Sequence, residues 1–284
     1  MNLQFNTFNT EKTPEFFNEL LNVKGEDSSF FKKLYSYMFN FFGYGNLLGK
    51  YWFVGIEEGG GYNCIDELKK GINIWHTQKI DCDGTTLDAY EYQKEYFGED
   101  SKDFQKLFGL NNVSQRTWKQ LINIILSYKN ENNDISKYQR EKLGRLDGEN
   151  CILNLFPLSC ININSWNYCC LCPGLKCLKN RKEYEDNIKK YRINKLKKLI
   201  NDYKPELIVF YYKNIINEFY ADLEEKYNNN FQNLSSSKKY NISLKMINGT
   251  KLAAICHPRS VMGEKEEYFK TVGRLLKNNK IFIN

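Results

Sequence analysis

Tyr51-Trp52-Phe53-Val54-Gly55-Ile56-Glu57-Glu58-Gly59-Gly60-Gly61 is the stretch on which the fold turns. Its aromatic and β-branched start is too short for a helix and reads as a buried strand, Tyr51–Val54. The strand runs into a polar loop that sets two carboxylates in a bed of glycines. A second stretch, Ala253-Ala254-Ile255-Cys256-His257-Pro258-Arg259-Ser260, has the same form, and its loop offers one of the chain's 2 histidines. A carboxylate and a histidine at the ends of neighbouring strands form a candidate site for acid/base or charge-stabilising chemistry.

Working outward, Cys151–Leu155 reads as another strand. Leu207–Tyr211 is apolar on both faces, as a central parallel strand should be. Leu252–Cys256 reads as the last core strand and Ile242–Ile247 as an edge strand. Helices are expected over 13–42 (opened by Thr13-Pro14), Ser114–Tyr128 (capped by Ser114), Arg181–Tyr203, 214–227 and Glu264–Lys277. Ile188, Tyr191, Leu196, Leu199 and Tyr203 mark the inner side of the helix from Arg181. Residues 62–112 read as a long surface excursion, helical around Leu87–Tyr96, with a turn at Cys82-Asp83-Gly84. Asn228–Lys239 reads as a loop.

Alternating strands and helices predict a three-layer α/β/α sandwich with a central, mostly parallel four-stranded sheet. One domain is expected over 1–284, with N-terminal helices 13–42 and a Cys-rich insertion over 160–177. Ligands of such sheets sit beyond the carboxyl ends of the strands, where Gly55–Gly61, Asn154 and His257 lie.

The 284 residues are 42% hydrophobic, enough for a full core. The N-terminus carries no secretory pattern and no apolar run approaches the roughly 18 residues that span a bilayer. A soluble, cytoplasmic protein without a membrane partner is expected. The 9 cysteines are an odd number, which argues against a fully paired disulfide framework. The +7 charge permits a nucleic-acid partner without requiring one.

The order of these signals resembles the uracil-DNA glycosylase superfamily over roughly residues 48–276. Gly55-Ile56-Glu57-Glu58-Gly59 stands at that superfamily's first motif, Asn154 at its base-reading polar residue, and His257-Pro258-Arg259-Ser260 at its His-Pro-Ser loop. The resemblance implies a DNA glycosylase that flips a nucleotide and hydrolyses its base–sugar bond, leaving an abasic site. Glu57 would orient or activate water, with Glu58 beside it in place of the usual proline. His257 would stabilise the departing base. Gly55, Ile56, Gly59, Tyr62 and Asn154 would bind it. Arg259, Ser260, Val261 and Met262 would enter the minor groove.

Some strict uracil enzymes carry tyrosine where this chain has Gly59, and glycine removes that wall. The implied substrate is uracil or a modified pyrimidine, including bulky modified cytosines of phage DNA, in anti-phage defence. DNA is the implied partner. No cofactor is required and no obligate protein partner is evident. The alternative is a non-catalytic binder of nucleic acid or a nucleotide on the same fold.

Two further features stand apart from those motifs. Across Lys176–Lys204 there are eleven Lys/Arg against four Asp/Glu, so this helix, with Arg181 and Lys182 at its start, is a candidate phosphate track or a solvated face. Cys160, Cys169, Cys170, Cys172 and Cys177 are dense enough for a local structural metal knuckle, with Cys169, Cys172 and Cys177 as candidate ligands. The chain has no cysteine before Cys64, and the bland reading is a loop of reduced thiols.

Overall fold

The computed structural model describes residues 14–78, 84–162, 164–212, 219, 232–233, 242–247 and 249–278. Expectations for Thr13 and the residues before it, and for Cys82 and Asp83, lie outside them. So do those for the helix over 214–227 and the loop over 228–239, except at 219 and 232–233.

A 3-10 turn at Glu15–Phe17 leads into α1 (Glu19–Asn22) and α2 (Ser28–Asn40). Then follow β1 (Gly43–Gly45), β2 (Tyr51–Gly59), α3 (Ile65–Gln78), β3 (Thr86–Leu87), α4 (Ala89–Phe97), α5 (Lys102–Phe108), α6 (Arg116–Lys129) and α7 (Ile135–Glu141). The second half holds β4 (Asn150–Cys160), α8 (Tyr168–Leu171), α9 (Arg181–Tyr203), β5 (Leu207–Phe210), β6 (Gln232–Asn233), β7 (Ser243–Ile247), β8 (Thr250–Ala254) and α10 (Lys265–Asn278).

The fold is α/β, but the sheet is not the four-stranded one expected. It is mixed and has eight strands in the order β3-β1-β4-β2-β5-β8-β7-β6. β4, β2, β5 and β8 run parallel. β1 pairs antiparallel with β4, and β7 pairs antiparallel with both β8 and β6. The unforeseen additions, β1, β3 and β6, are strands of two or three residues, too short to show a period. Ile242–Ile247 is therefore not at the edge, because β6 flanks it.

Alternation along the strands divides the core between the two faces of the sheet. Trp52, Val54, Leu153 and Leu155 pack with α2, α3 and α9. Tyr51, Phe53, Ile152, Leu207, Val209 and Ala253 pack with α6, α7 and α10. The region 62–112 corrects the expected surface excursion. Its helix α3 buries Leu68, Ile72 and Trp75, and the Trp75 indole donates to the Gly84 carbonyl at 2.9 Å. The cap of α6 is Gln115, not Ser114: the Gln115 side chain accepts from the Trp118 amide at 2.7 Å, while Ser114 bonds Ser136. On α9, Tyr203 is exposed, and Arg192 and Lys197 are buried instead. No helix among the described residues is long and apolar enough to cross a membrane.

Candidate active site

Both motif segments have longer or tighter local structure than a loop. β2 continues through Glu57 and Glu58 to Gly59, because β4 runs beside it to Cys160. Their register slips between Glu57 and Gly59, where Pro157, Leu158 and Ser159 bulge out of β4. Two carbonyls of the bulge are satisfied by buried tyrosines: Tyr37 donates to Pro157 at 3.3 Å and Tyr168 to Ser159 at 2.9 Å. The His257–Ser260 segment is a single 3-10 turn with proline at its first position. His257 caps its own turn, its Nδ1 accepting from the Arg259 amide at 3.1 Å.

The ends of β2 and β4, the residues after β5, the His257 turn and the start of α6 enclose one cavity of about 380 Å³. Ile56, Glu57, Glu58, Gly59, Asn154, His257, Arg259 and Ser260 all line it. Residues more than 200 positions apart thus meet in one site, on the side of the sheet where open α/β folds bind ligands.

The two carboxylates differ sharply. Glu57 is ion-paired with Arg181, which also bonds Glu185 at 2.7 Å. Burial raises the Glu57 pKa, and Arg181 opposes that rise. Among the described residues Glu58 has no cation partner. It accepts from the Tyr44 hydroxyl at 3.2 Å, and burial lifts its pKa to about 7. A carboxyl poised there exchanges a proton at neutral pH.

His257 is held neutral, since burial and the neighbouring Arg259 both lower its pKa. With Nδ1 accepting from the backbone, the neutral ring carries its proton on Nε2 and presents a donor. Asn154, directly across from Gly55 in the sheet, is 6% exposed, and its side-chain carbonyl oxygen has no hydrogen-bond partner. An orphaned buried amide oxygen in a cavity wall is a place for a ligand donor.

Beneath Asn154 lies a fully buried Arg192. It donates to the carbonyls of Asn154 (3.0 Å), Leu155 (2.7 Å) and Met38 (3.2 Å) and stacks 3.5 Å over the Phe42 ring. Burial lowers its pKa to about 9, which leaves it a cation at neutral pH.

Several assignments are corrected. Gly55 does not line the cavity; a side chain there would overlap the Tyr211 hydroxyl, so Gly55 makes room for Tyr211. Tyr62 is buried behind the site, among Tyr37, Tyr92 and Glu58. Arg181 is engaged by Glu57 and Glu185 and does not stand free as a phosphate contact. Lys182 is exposed and pairs with Asp186 on its own helix. Met262 projects into solvent at 87% exposure, and Val261 packs partly against the core.

Among the lining residues that escaped sequence reading are Tyr44, Gln115, Trp118 and Tyr211. Tyr211 directly follows β5, its ring 5.8 Å from that of His257. None carries a local motif; only the sheet order brings them together. In the Cys-rich segment, Cys172 and Cys177 are buried, while Cys169 and Cys170 are exposed with their sulfurs 3.7 Å apart. Among the described residues no group of three or more His, Cys, Asp or Glu side chains is placed to hold a metal ion. Comparisons with family models, curated proteins and solved structures return no match to this chain.

Proposed function

We propose that the protein hydrolyses the N-glycosidic bond of a pyrimidine flipped from DNA into this cavity. The observation that carries the reading is the meeting of Glu58, His257 and the unpaired Asn154 amide in one cavity wall. The motif order that resembles the uracil-DNA glycosylase superfamily supports it.

In this reading Asn154 reads the base edge, its amide offering donor and acceptor. The bond between the sugar C1′ and the base nitrogen breaks, and its electron pair leaves with the base. The His257 Nε2–H donates to the base oxygen on which negative charge gathers. Ionised Glu58 takes a proton from water as the water oxygen bonds C1′. The water role passes from Glu57 to Glu58, because Glu57 is occupied by Arg181. Uracil remains the simplest substrate. A bulkier modified pyrimidine is supported by Gly59: a side chain there would have a single neighbour within 4 Å, an Arg259 nitrogen at 3.7 Å. Excision of phage-type modified cytosines would place the protein in defence.

The test is abasic-site formation. DNA carrying uracil, hydroxymethylcytosine or glucosylated cytosine is incubated with protein, then cut with alkali. Cleavage of one substrate is expected, falling by about 10²-fold or more in Glu58→Gln and much less in Glu57→Gln. DNA that is bound but never cleaved across the panel would instead identify a non-catalytic binder.

A further inference from the structure

We infer that a second cavity, adjoining the first, seats the phosphodiester backbone of the strand whose base enters the site. The inference rests on the glycosylase reading for the identity of that strand. The cavity, about 590 Å³, lies between the start of α6, the His257 turn and the start of α10. It shares Thr117 and Arg259 with the base cavity, so one ligand spans both.

Its wall carries four cations, Arg116, Lys119, Arg259 and Lys265, and no acidic side chain. Lys119 is neutralised by Glu266 at 2.8 Å. Among the described residues Arg116, Arg259 and Lys265 form no ion pair. Three uncompensated cations converging on one concavity repel one another, and an anion relieves that repulsion. Arg116 and Arg259 are exposed and Lys265 half-buried, so the charges remain accessible to a ligand. The Thr117 hydroxyl adds a neutral donor suited to phosphate oxygens.

Arg259 is the hinge of this arrangement. Its guanidinium reaches back over Gly59 in the base cavity while its side chain also lines the basic one. A free base would use the first cavity alone. A nucleotide within a strand would use both. The basic face of α9, by contrast, is partly spent: Lys182 and Lys198 pair with Asp186 and Asp202 on the same helix.

The experiment is the salt dependence of binding to a fluorescently labelled DNA duplex with no modified base, followed by anisotropy between about 50 and 200 mM salt. Arg116→Ala/Lys265→Ala is expected to weaken binding and flatten the slope of log K against log salt by about 2. Lys182→Ala/Lys198→Ala removes the same charge from α9 and is expected to keep the wild-type slope. Equal flattening in the two double variants would overturn the inference, as would an unchanged slope in the first. Circular dichroism melting of each variant checks its fold. If the wild type makes abasic sites but Arg116→Ala/Lys265→Ala keeps the full slope, the basic cavity falls and the glycosylase reading stands. If that variant loses the slope but no substrate is cleaved, the cavity stands and the glycosylase reading falls.

Discussion

Glu57 and Glu58 are neighbours in sequence and opposites in circumstance. One is held by a guanidinium; the other accepts from a phenol and has a pKa of about 7. If ionised Glu58 activates water, kcat/KM rises from pH 6 to pH 8 with a midpoint near 7, and Glu58→Gln abolishes that limb. Stability moves the other way. Between pH 4.5 and 7 folded Glu58 keeps a proton that the unfolded chain has released, so stability falls as pH rises through that window. Glu58→Gln should therefore be more stable than wild type at pH 8, by about 1–3 kcal/mol in urea titration. Glu57, Glu58, Asn154 and His257 were legible in the sequence because each ends or follows an apolar run. The distinction between the two carboxylates was not, because Arg181 lies 124 residues from Glu57 and meets it only through the fold.

At the scale of elements, α6 and α10 cross with almost no space between them. A Cβ added at Gly273 on α10 would lie 2.8 Å from the Ser127 side chain and 2.5 Å from the Ile124 carbonyl oxygen of α6. Gly273→Ala should force the helices apart and cost about 1–3 kcal/mol, lowering Tm by about 2–10 °C in calorimetry. Because α6 begins at both cavities, the same change should loosen Gln115 and Trp118. The long helices were readable from apolar spacing; α9 starts and stops where expected. α3 was overlooked although Leu68, Ile72 and Trp75 recur at helical spacing, because glycines and charged residues surround that pattern. β1 and β3 were unreadable, being three and two residues long and recognisable only by their partners.

For the whole molecule, Arg192 is the fastening between layers. Fully buried, it joins the carbonyl end of α2 to two consecutive carbonyls of β4 from a position on α9. Arg192→Met would remove all three of those buried, charge-assisted bonds, a loss of about 3 kcal/mol or more in denaturant unfolding. A milder Arg192→Lys variant, if folded, should raise KM more than it lowers kcat, because it shifts the strand that carries Asn154. The α/β class was legible from strand and helix alternation. The mixed edges of the sheet were not, since pairing direction leaves no mark on a short strand.

The space above Gly55 is filled by the hydroxyl of Tyr211, a residue of the neighbouring strand's end. Neither position is free to vary by itself. A side chain at 55 demands a smaller residue at 211, and a smaller residue at 211 opens a hole beside His257 that only a side chain at 55 can fill. In descendants of this chain the two positions should be inherited as a unit, drifting together or not at all.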